Sequence, residues 1–272
     1  MTHKLITFII SIFSATALLS CSEDTLFTKL PAEETGITFS NHITEMDTMN
    51  ILNFEYINNG GGVALGDFNN DNLVDAYFTG NQVANKLYLN KGGFKFEDVT
   101  KKSKATGEGR WCSGVALVDI NNDKLLDIYV CATVKKSAAS RANMLYVNQG
   151  VGKDGIPTFK EVAQEYGIAD TTHTTNAAFF DYDNDGDLDL YLVVNEMDDS
   201  RIPNKYHDKI VDGSSKRTDR LYRNDTKAPR SVGRPAPKGG ASTAKLRTKS
   251  DSKAPPLGAG RPTLRGAFVS FL

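Results

Sequence analysis

The chain has 272 residues, of which 40% are hydrophobic, and a formal net charge of −1 at pH 7. This composition fits a folded protein and excludes a wholly disordered or collagen-like chain. The near-zero net charge argues against a dedicated nucleic-acid-binding protein, which is normally basic. The charge is unevenly spread, because residues 226–272 hold ten basic residues and one acidic residue. The body of the chain before residue 226 is therefore acidic, and the two parts need separate interpretations.

The N-terminus has the organisation of a bacterial export signal. A lysine precedes an apolar run from Leu5 to Leu19, which is shorter than the roughly 20 residues that a membrane-spanning helix needs. The run ends in Leu-Leu-Ser-Cys, which resembles a lipobox. We therefore predict a signal peptide over residues 1–20 and a lipid anchor on Cys21. A plain secretory signal and a buried N-terminal helix are the alternatives.

The acidic residues directly after Cys21 add a further expectation about location. The stretch Ser22-Glu23-Asp24 resembles the export tag of surface lipoproteins in Bacteroidetes. It predicts a bacterial outer-membrane lipoprotein that faces the cell surface and contacts the membrane through its lipid anchor only.

Three segments of the body align without gaps, and each consists of an apolar stretch, a polar nine-residue loop and a second apolar stretch. The segments begin at Gly62, Gly114 and Asn176. β-Branched and aromatic residues crowd the apolar stretches, while Asn, Asp and Gly crowd the loops, which is typical of a strand–loop–strand hairpin. A second hairpin with Leu-Tyr at a constant place follows each of them. These second hairpins begin at Asn85, Asn143 and Asp219.

Four short strands per repeat predict an all-β fold, a β-propeller of four-stranded blades that is incomplete. We place the partial propeller at residues 21–225, with blades at about 60–100, 112–165 and 174–225. Residues 26–39 echo the stretch from Phe159 onward and are predicted to supply an N-terminal outer strand. Residues 226–272 are rich in Pro, Gly and Ser and are predicted to be a disordered or frameshifted tail.

The three polar loops carry the most specific chemical signal in the chain. Each places acidic or amide side chains at loop positions 1, 3, 5 and 9, an arrangement whose oxygens can converge on one hard cation such as Ca²⁺. Position 7 varies in type, so we expect it to contribute its backbone carbonyl. The predicted ligands are Asp67, Asn69, Asp71, Leu73 and Asp75 in the first loop, Asp119, Asn121, Asp123, Leu125 and Asp127 in the second, and Asp181, Asp183, Asp185, Asp187 and Asp189 in the third.

Two other metal sites are disfavoured by the same residues. An EF-hand needs an acidic residue at position 12, where this chain has Phe78, Val130 and Leu192. His and Cys are absent from all three loops, which argues against zinc. The alternative is that the Asp and Asn side chains form metal-free Asx-turns.

These loops, together with the stretches that begin at Tyr56, Asn85 and Asp219, resemble the FG-GAP/VCBS repeats of calcium-binding propellers, including the integrin α-subunit head. The sequences of these stretches are similar to those of VCBS-repeat lipoproteins of Bacteroidetes in the ASPIC/UnbV-associated group. The resemblance covers about residues 26–225 and implies a propeller, usually seven-bladed, with calcium in the loop between the first two strands of a blade. The pattern stops after Asp225, which suggests an N-terminal piece of a larger protein.

Two functions from different classes remain open from the sequence. The first is a surface-anchored binding or adhesion module for an extracellular glycan or protein, in which calcium stabilises the fold. The second is a piece of a propeller enzyme, a lyase or hydrolase acting on polysaccharide, for which His173 and His207 are candidate acid–base groups. The basic tail could contact nucleic acid, but it lacks interleaved aromatic residues, so no nucleic-acid partner is predicted.

Cys112 and Cys131 fall in predicted strands on either side of one loop. A hairpin symmetric about Asp123 would place Cys131 opposite residue 115 rather than residue 112. The spacing therefore favours two half-buried free cysteines over a disulfide, although an exported protein would allow the bond.

Overall fold

A computed structural model describes residues 25–52, 54, 57–107, 109–195, 210–215 and 217–225. Within these ranges the protein is built from antiparallel β-sheet, with three α-helices of four residues each and one 3-10 helix, Ala139–Arg141. The predictions for the signal peptide, for Cys21, for His207 and for residues 226–272 fall outside the described residues. No helix within the described part of the chain has the length and apolar composition needed to cross a membrane.

The strands form three separate sheets in chain order, each with neighbouring strands paired in sequence. The first sheet contains β1 (Val63–Gly66), β2 (Asp75–Phe78), β3 (Lys86–Asn90) and β4 (Phe96–Asp98). The second contains β5 (Trp111–Val118), β6 (Asp127–Thr133), β7 (Met144–Val151) and β8 (Pro157–Glu161). The third contains β9 (Thr174–Phe180), β10 (Asp189–Val194) and β11 (Arg220–Tyr222). The all-β, incomplete propeller predicted from the repeats is confirmed.

One short helix precedes the first sheet, and two others follow the outer strands of the first and second sheets. They are α1 (Ala32–Thr35), α2 (Thr100–Ser103) and α3 (Ala163–Tyr166). A residue in the left-handed conformation ends each of them, with φ of 78° at Gly36, 65° at Lys104 and 72° at Gly167. The N-terminal stretch thus repeats the helical turn that follows β4 and β8, although its sequence echo predicted an outer strand.

The outer strand predicted within residues 26–39 is wrong for the residues before α1. Residues 25–31 have no strand conformation, and residues 36–45 also lie outside any strand. A strand requires a hydrogen-bonded neighbour, and none of the described strands pairs with this segment. Instead, the ring of Phe39 stacks on Phe78 of the first sheet, with centroids 5.2 Å apart.

Two hydrophobic cores lie between successive sheets. The first core joins sheets one and two through buried residues that include Tyr77, Leu87 and Tyr146. The second joins sheets two and three through buried residues that include Tyr129 and Leu192. The second sheet is therefore covered on both faces, which explains why all seven residues of β6 are buried.

Glycines let the innermost strands approach closely. β5 lies between β1 and β9 and contacts both. A Cβ atom on Gly62 would lie 2.9 Å from the carbonyl oxygen of Ser113, and one on Gly114 would lie 2.4 Å from that of Thr175. Both distances are shorter than a carbon–oxygen contact allows, so this spacing of the inner strands requires glycine on the first and second of them.

Cys112 and Cys131 are both fully buried and are not joined by a disulfide. An irregularity in the pairing of β5 with β6 sets Cys112 opposite Ala132, while Val115 faces Val130. The two cysteines pack into different cores, because Cys112 joins the first and Cys131 the second. The preference for free cysteines is confirmed, but they are completely rather than half buried.

Candidate metal centre

The three polar loops connect the first two strands of each sheet and share one backbone path. Positions 4 and 6 of each loop have positive φ, which curls the chain tightly enough for alternate side chains to turn inward. These residues are Asn70 and Asn72, Asn122 and Lys124, and Asn184 and Gly186. Asn and Gly tolerate this conformation best, so the sequence reaches it with little strain at five of the six positions.

The carboxylate at position 1 holds the turn of each loop. Asp67, Asp119 and Asp181 each accept hydrogen bonds from the backbone N–H groups at positions 5 and 6, over 2.8–3.1 Å. The carboxylate at position 5 likewise accepts the N–H at position 7, at 2.8–3.0 Å. Asx-turns are therefore present, as the metal-free alternative expected. They organise the same oxygens that a cation would need.

The carboxylate at position 9 ties the loop to the sheet. Asp75, Asp127 and Asp189 are almost fully buried, with exposures of 0%, 0% and 2%. Each accepts the backbone N–H of position 2 and a second backbone N–H from a residue in or just after the third strand, over 2.7–3.0 Å. Burial raises the pKa of Asp75 to about 6 and that of Asp127 to about 7, against the lowering effect of these hydrogen bonds.

These raised pKa values predict how calcium-depleted protein responds to pH. A carboxyl whose pKa is higher in the folded than in the unfolded state stabilises the fold at low pH, and this contribution disappears as pH rises through the folded value. In chelator, the free energy of unfolding should therefore fall between pH 5 and pH 7.5. Urea denaturation at several pH values measures it, and Asp127→Asn should flatten the profile. An identical profile in wild type and variant would contradict the assignment.

The first two loops differ from the third in a way that bears on metal binding. The amide of Asn69 donates to the carboxylate of Asp71 at 2.9 Å, and that of Asn121 donates to Asp123 at 2.8 Å. Each of these hydrogen bonds offsets part of the negative charge of a carboxylate, and so stabilises the loop in the absence of an ion. The third loop has Asp183 at this position, and a carboxylate has no hydrogen to donate.

The third loop therefore gathers unneutralised carboxylates. Asp181, Asp183 and Asp189 each bring an oxygen within 4.8 Å of the others. Loss of water and the neighbouring carboxylates of Asp185 and Asp189 raise the pKa of Asp183. Of the four side chains predicted to bind metal in this loop, the structure brings three into one cluster that can hold a cation. The carboxylate of Asp185 instead accepts the N–H of Asp187 at 3.0 Å.

An asparagine in or just after the third strand of each sheet also supports the loop, and the sequence interpretation missed these residues. The N–H that reaches each position-9 carboxylate belongs to Asn90, Asn148 or Asn224. The side chain of Asn148 also donates to the carbonyl of Phe68, at 2.9 Å, and so links the second sheet to the first loop. The signal was present in the sequence as an Asn five residues after each start of a Leu-Tyr hairpin.

A second repeated network lies in the sheets. Asn85 and Asn143 are buried, and each donates its amide to a strand-two tyrosine hydroxyl, Tyr77 at 2.8 Å and Tyr129 at 3.0 Å. In the third sheet the corresponding residue is Asp219, which accepts from Tyr191 at 2.8 Å. These side chains align strands two and three, and the position-9 carboxylates lie on strand two.

The contacts of the candidate acid–base residue His173 connect neighbouring parts of the fold. Its Nδ1 lies 3.3 Å from the hydroxyl of Thr133 and 3.3 Å from the backbone N–H of Val134. Its carbonyl accepts the N–H of Asn195 at 2.8 Å. The residue thus joins the second sheet to the third.

Comparison with known proteins agrees with the loop geometry. Residues 67–130 match an FG-GAP-like repeat. The matched stretch begins at position 1 of the first loop and ends in β6, beyond position 9 of the second. Repeats of this type suggest a binding- or adhesion-type module.

One curated relative covers a longer part of the chain. Cartilage acidic protein 1 from Mus musculus is 26% identical over 136 residues, or 49% of this chain. The chain spans 20% of the length of that protein.

Proposed function

We propose that this chain is a calcium-stabilised binding module of an exported protein, one that presents propeller blades to an extracellular glycan or protein ligand. The observation that carries the proposal is the third loop, in which three carboxylates converge without an internal hydrogen-bond donor from the position-3 side chain. Electrostatic repulsion between carboxylates this close together is unfavourable unless a cation neutralises them. The matched repeat type supports a binding role.

Calcium is the ion that best suits these ligands. All the predicted side-chain ligands are carboxylate or amide oxygens, which hard cations prefer. The loop is a curled surface segment that can supply additional carbonyl and water ligands, which suits the six to eight ligands of Ca²⁺ better than the strict octahedron of Mg²⁺. In this proposal Asp181, Asp183 and Asp189 hold the ion, and the ion supplies the charge that lets them pack together.

The first two loops are proposed to bind calcium more weakly than the third. Their position-3 amides already satisfy part of the position-5 carboxylates, and each loop brings three carboxylates rather than four. Isothermal titration of folded protein with Ca²⁺, and separately with Mg²⁺, tests the proposal. Heat of binding for Ca²⁺ is the expected result, whereas no binding of Ca²⁺ to folded protein would leave only the metal-free turns.

The module is further proposed to be anchored at the bacterial outer membrane through Cys21. The support is the Leu-Leu-Ser-Cys sequence after an apolar run. Cys21→Ser should release the protein from the membrane fraction into the periplasm. Incorporation of labelled fatty acid by wild type and its loss in the variant measure the effect, and an unlabelled wild type would contradict the anchor.

The ligand class is tested by comparing binding with turnover. Calcium-loaded protein should bind members of a glycan panel or an extracellular protein extract, and chelator should reduce that binding by unfolding the loops. Incubation with polysaccharides should leave them uncleaved. Cleavage that disappears in a His173→Ala variant, with the fold retained, would favour the alternative of a polysaccharide lyase or hydrolase.

A further inference from the structure

An exposed Asn-Gly pair lies in the segment that leads into the first sheet. Asn59 and Gly60 are both exposed, and Gly60 has a φ of 79° with open space where a Cβ would stand. Within the described part of the chain, no hydrogen bond holds the side chain of Asn59 or the backbone N–H of Gly60. The side-chain amide carbon and the backbone nitrogen that follows it are therefore free to approach each other.

The comparable pairs elsewhere in the chain are less reactive, because each consists of an aspartate followed by a glycine. They are Asp154-Gly155, Asp185-Gly186 and Asp212-Gly213. Each of these carboxylates accepts a hydrogen bond, over 3.0–3.1 Å. An ionised carboxylate also resists attack by a nucleophile, whereas the side-chain amide of Asn59 is neutral. Asn59 is therefore the residue in the described part of the chain that reacts most readily with its own backbone.

We propose that Asn59 is a site of spontaneous deamidation whose isoaspartate product loosens the packing beside the first sheet. The backbone nitrogen of Gly60, after losing its proton to hydroxide, attacks the side-chain carbonyl carbon of Asn59. A C–N bond forms, and the side-chain nitrogen takes a proton from water and leaves as ammonia. Water then opens the succinimide ring. Opening at the side-chain carbonyl gives aspartate, whereas opening at the main-chain carbonyl gives isoaspartate, whose backbone is one atom longer.

The chain is fixed on both sides of this pair. On the N-terminal side, Ile57 is fully buried and packs with Trp111 and Val134, and we call these three residues the tryptophan cluster. On the C-terminal side, the N–H of Gly62 donates to the hydroxyl of Thr79 at 2.5 Å, and its carbonyl accepts the N–H of the same residue at 2.9 Å. An extra backbone atom between these attachments must displace one of them. We expect Ile57 to move, because hydrogen bonds hold the other end to the sheet.

Trp111 provides a spectroscopic signal for this displacement. It is the one tryptophan of the chain, and its side chain is 3% exposed. Movement of Ile57 away from the indole ring admits water, which shifts tryptophan emission to longer wavelength. The aspartate product leaves the backbone length unchanged and should leave the emission unchanged.

The experiment ages the full-length chain in calcium at mildly alkaline pH. A protein isoaspartate methyltransferase with a labelled methyl donor measures isoaspartate, and peptide mass spectrometry locates it. Isoaspartate should accumulate at residue 59, and the shift in Trp111 emission should grow in proportion to it. Asn59→Gln keeps the amide but would have to close a larger ring, so it should abolish both changes. An unaltered melting temperature before ageing shows that this variant folds.

Two controls separate the longer backbone from other effects of ageing. Asn58 is also exposed but precedes an asparagine rather than a glycine, so it should remain unmodified in the same samples. Freshly prepared Asn59→Asp carries the new negative charge without the longer backbone. Its Trp111 emission should equal that of unaged wild type, which shows that charge alone does not open the tryptophan cluster.

Three results would overturn the proposal. The first is an aged wild type without isoaspartate at residue 59. The second is an Asn59→Gln variant that ages with the same change in emission as wild type. The third is isoaspartate at residue 59 with unchanged Trp111 emission, because the tryptophan cluster would then tolerate the longer backbone. The reaction requires no calcium, so these results do not bear on the proposed function.

Discussion

Removal of calcium should lower the melting temperature of this protein, and millimolar calcium should restore it. An ion that binds only the native state stabilises it by about 2.7 kcal/mol per site at a 100-fold excess over the dissociation constant. For a protein of this size that corresponds to roughly 5–10 °C for one site. Thermal unfolding followed by circular dichroism, with chelator and with added Ca²⁺, measures the difference.

The third loop should contribute most of this gain. Asp183→Asn gives it the position-3 amide of the other two loops, and Asp185→Ala removes the carboxylate that accepts the N–H of Asp187 and so holds the turn. Each should therefore abolish most of the third site's share. Asn121→Asp makes the reverse exchange in the second loop and should increase its calcium response. This pair of exchanges isolates position 3, because the N–H at position 5 bonds the carboxylate at position 1 in both loops and both curl through positive φ at positions 4 and 6.

Two substitutions serve as controls for the calcium prediction. Asp187→Asn changes position 7, where the backbone carbonyl is the expected ligand, and should leave the calcium-dependent gain intact. His173→Ala removes contacts between the second and third sheets but should also leave that gain unchanged. A calcium response that survives Asp183→Asn in full, yet disappears in Asp187→Asn, would contradict the assigned roles.

Gly114→Ala should be among the most destabilising single substitutions in the sheets. The added Cβ would lie 2.4 Å from the carbonyl oxygen of Thr175 and 2.9 Å from the Cα of Asn176. Both atoms belong to the backbone of β9, which cannot rotate away as a side chain can. Relief requires the second and third sheets to separate, and overpacking of this kind costs about 1–3 kcal/mol.

The matched control is Gly152→Ala, in the turn between β7 and β8. There the nearest atom to an added Cβ is the carboxylate oxygen of Asp154, at 3.0 Å, on a flexible side chain. Its effect on the free energy of unfolding should be within about 0.5 kcal/mol. Urea denaturation of the two variants provides the comparison, and equal stabilities would show that the inner strands tolerate a wider spacing.

The repeats carried enough information to predict most of the fold. Hydrophobic alternation around a polar loop is a local property, so each hairpin was visible from its own residues. Three copies in register then predicted four-stranded units, because one unit alone cannot bury both faces of its sheet. The N-terminal outer strand was the exception: its sequence repeats a turn, but strand formation depends on a neighbour that no local pattern specifies.

For the loop ligands too, some properties could be predicted from local sequence and others depend on tertiary contacts. Residue types and spacing along the chain were sufficient to nominate positions 1, 3, 5 and 9, because the loop curls through its own αL residues. Burial of Asp127, its raised pKa and its hydrogen bond from Asn148 depend on strands distant in sequence. The contrast between Asn121 and Asp183 likewise required the positions of the hydrogen-bond partners. Local sequence thus specified which oxygens surround the candidate ion, whereas packing between strands and sheets decided which of those oxygens are already neutralised.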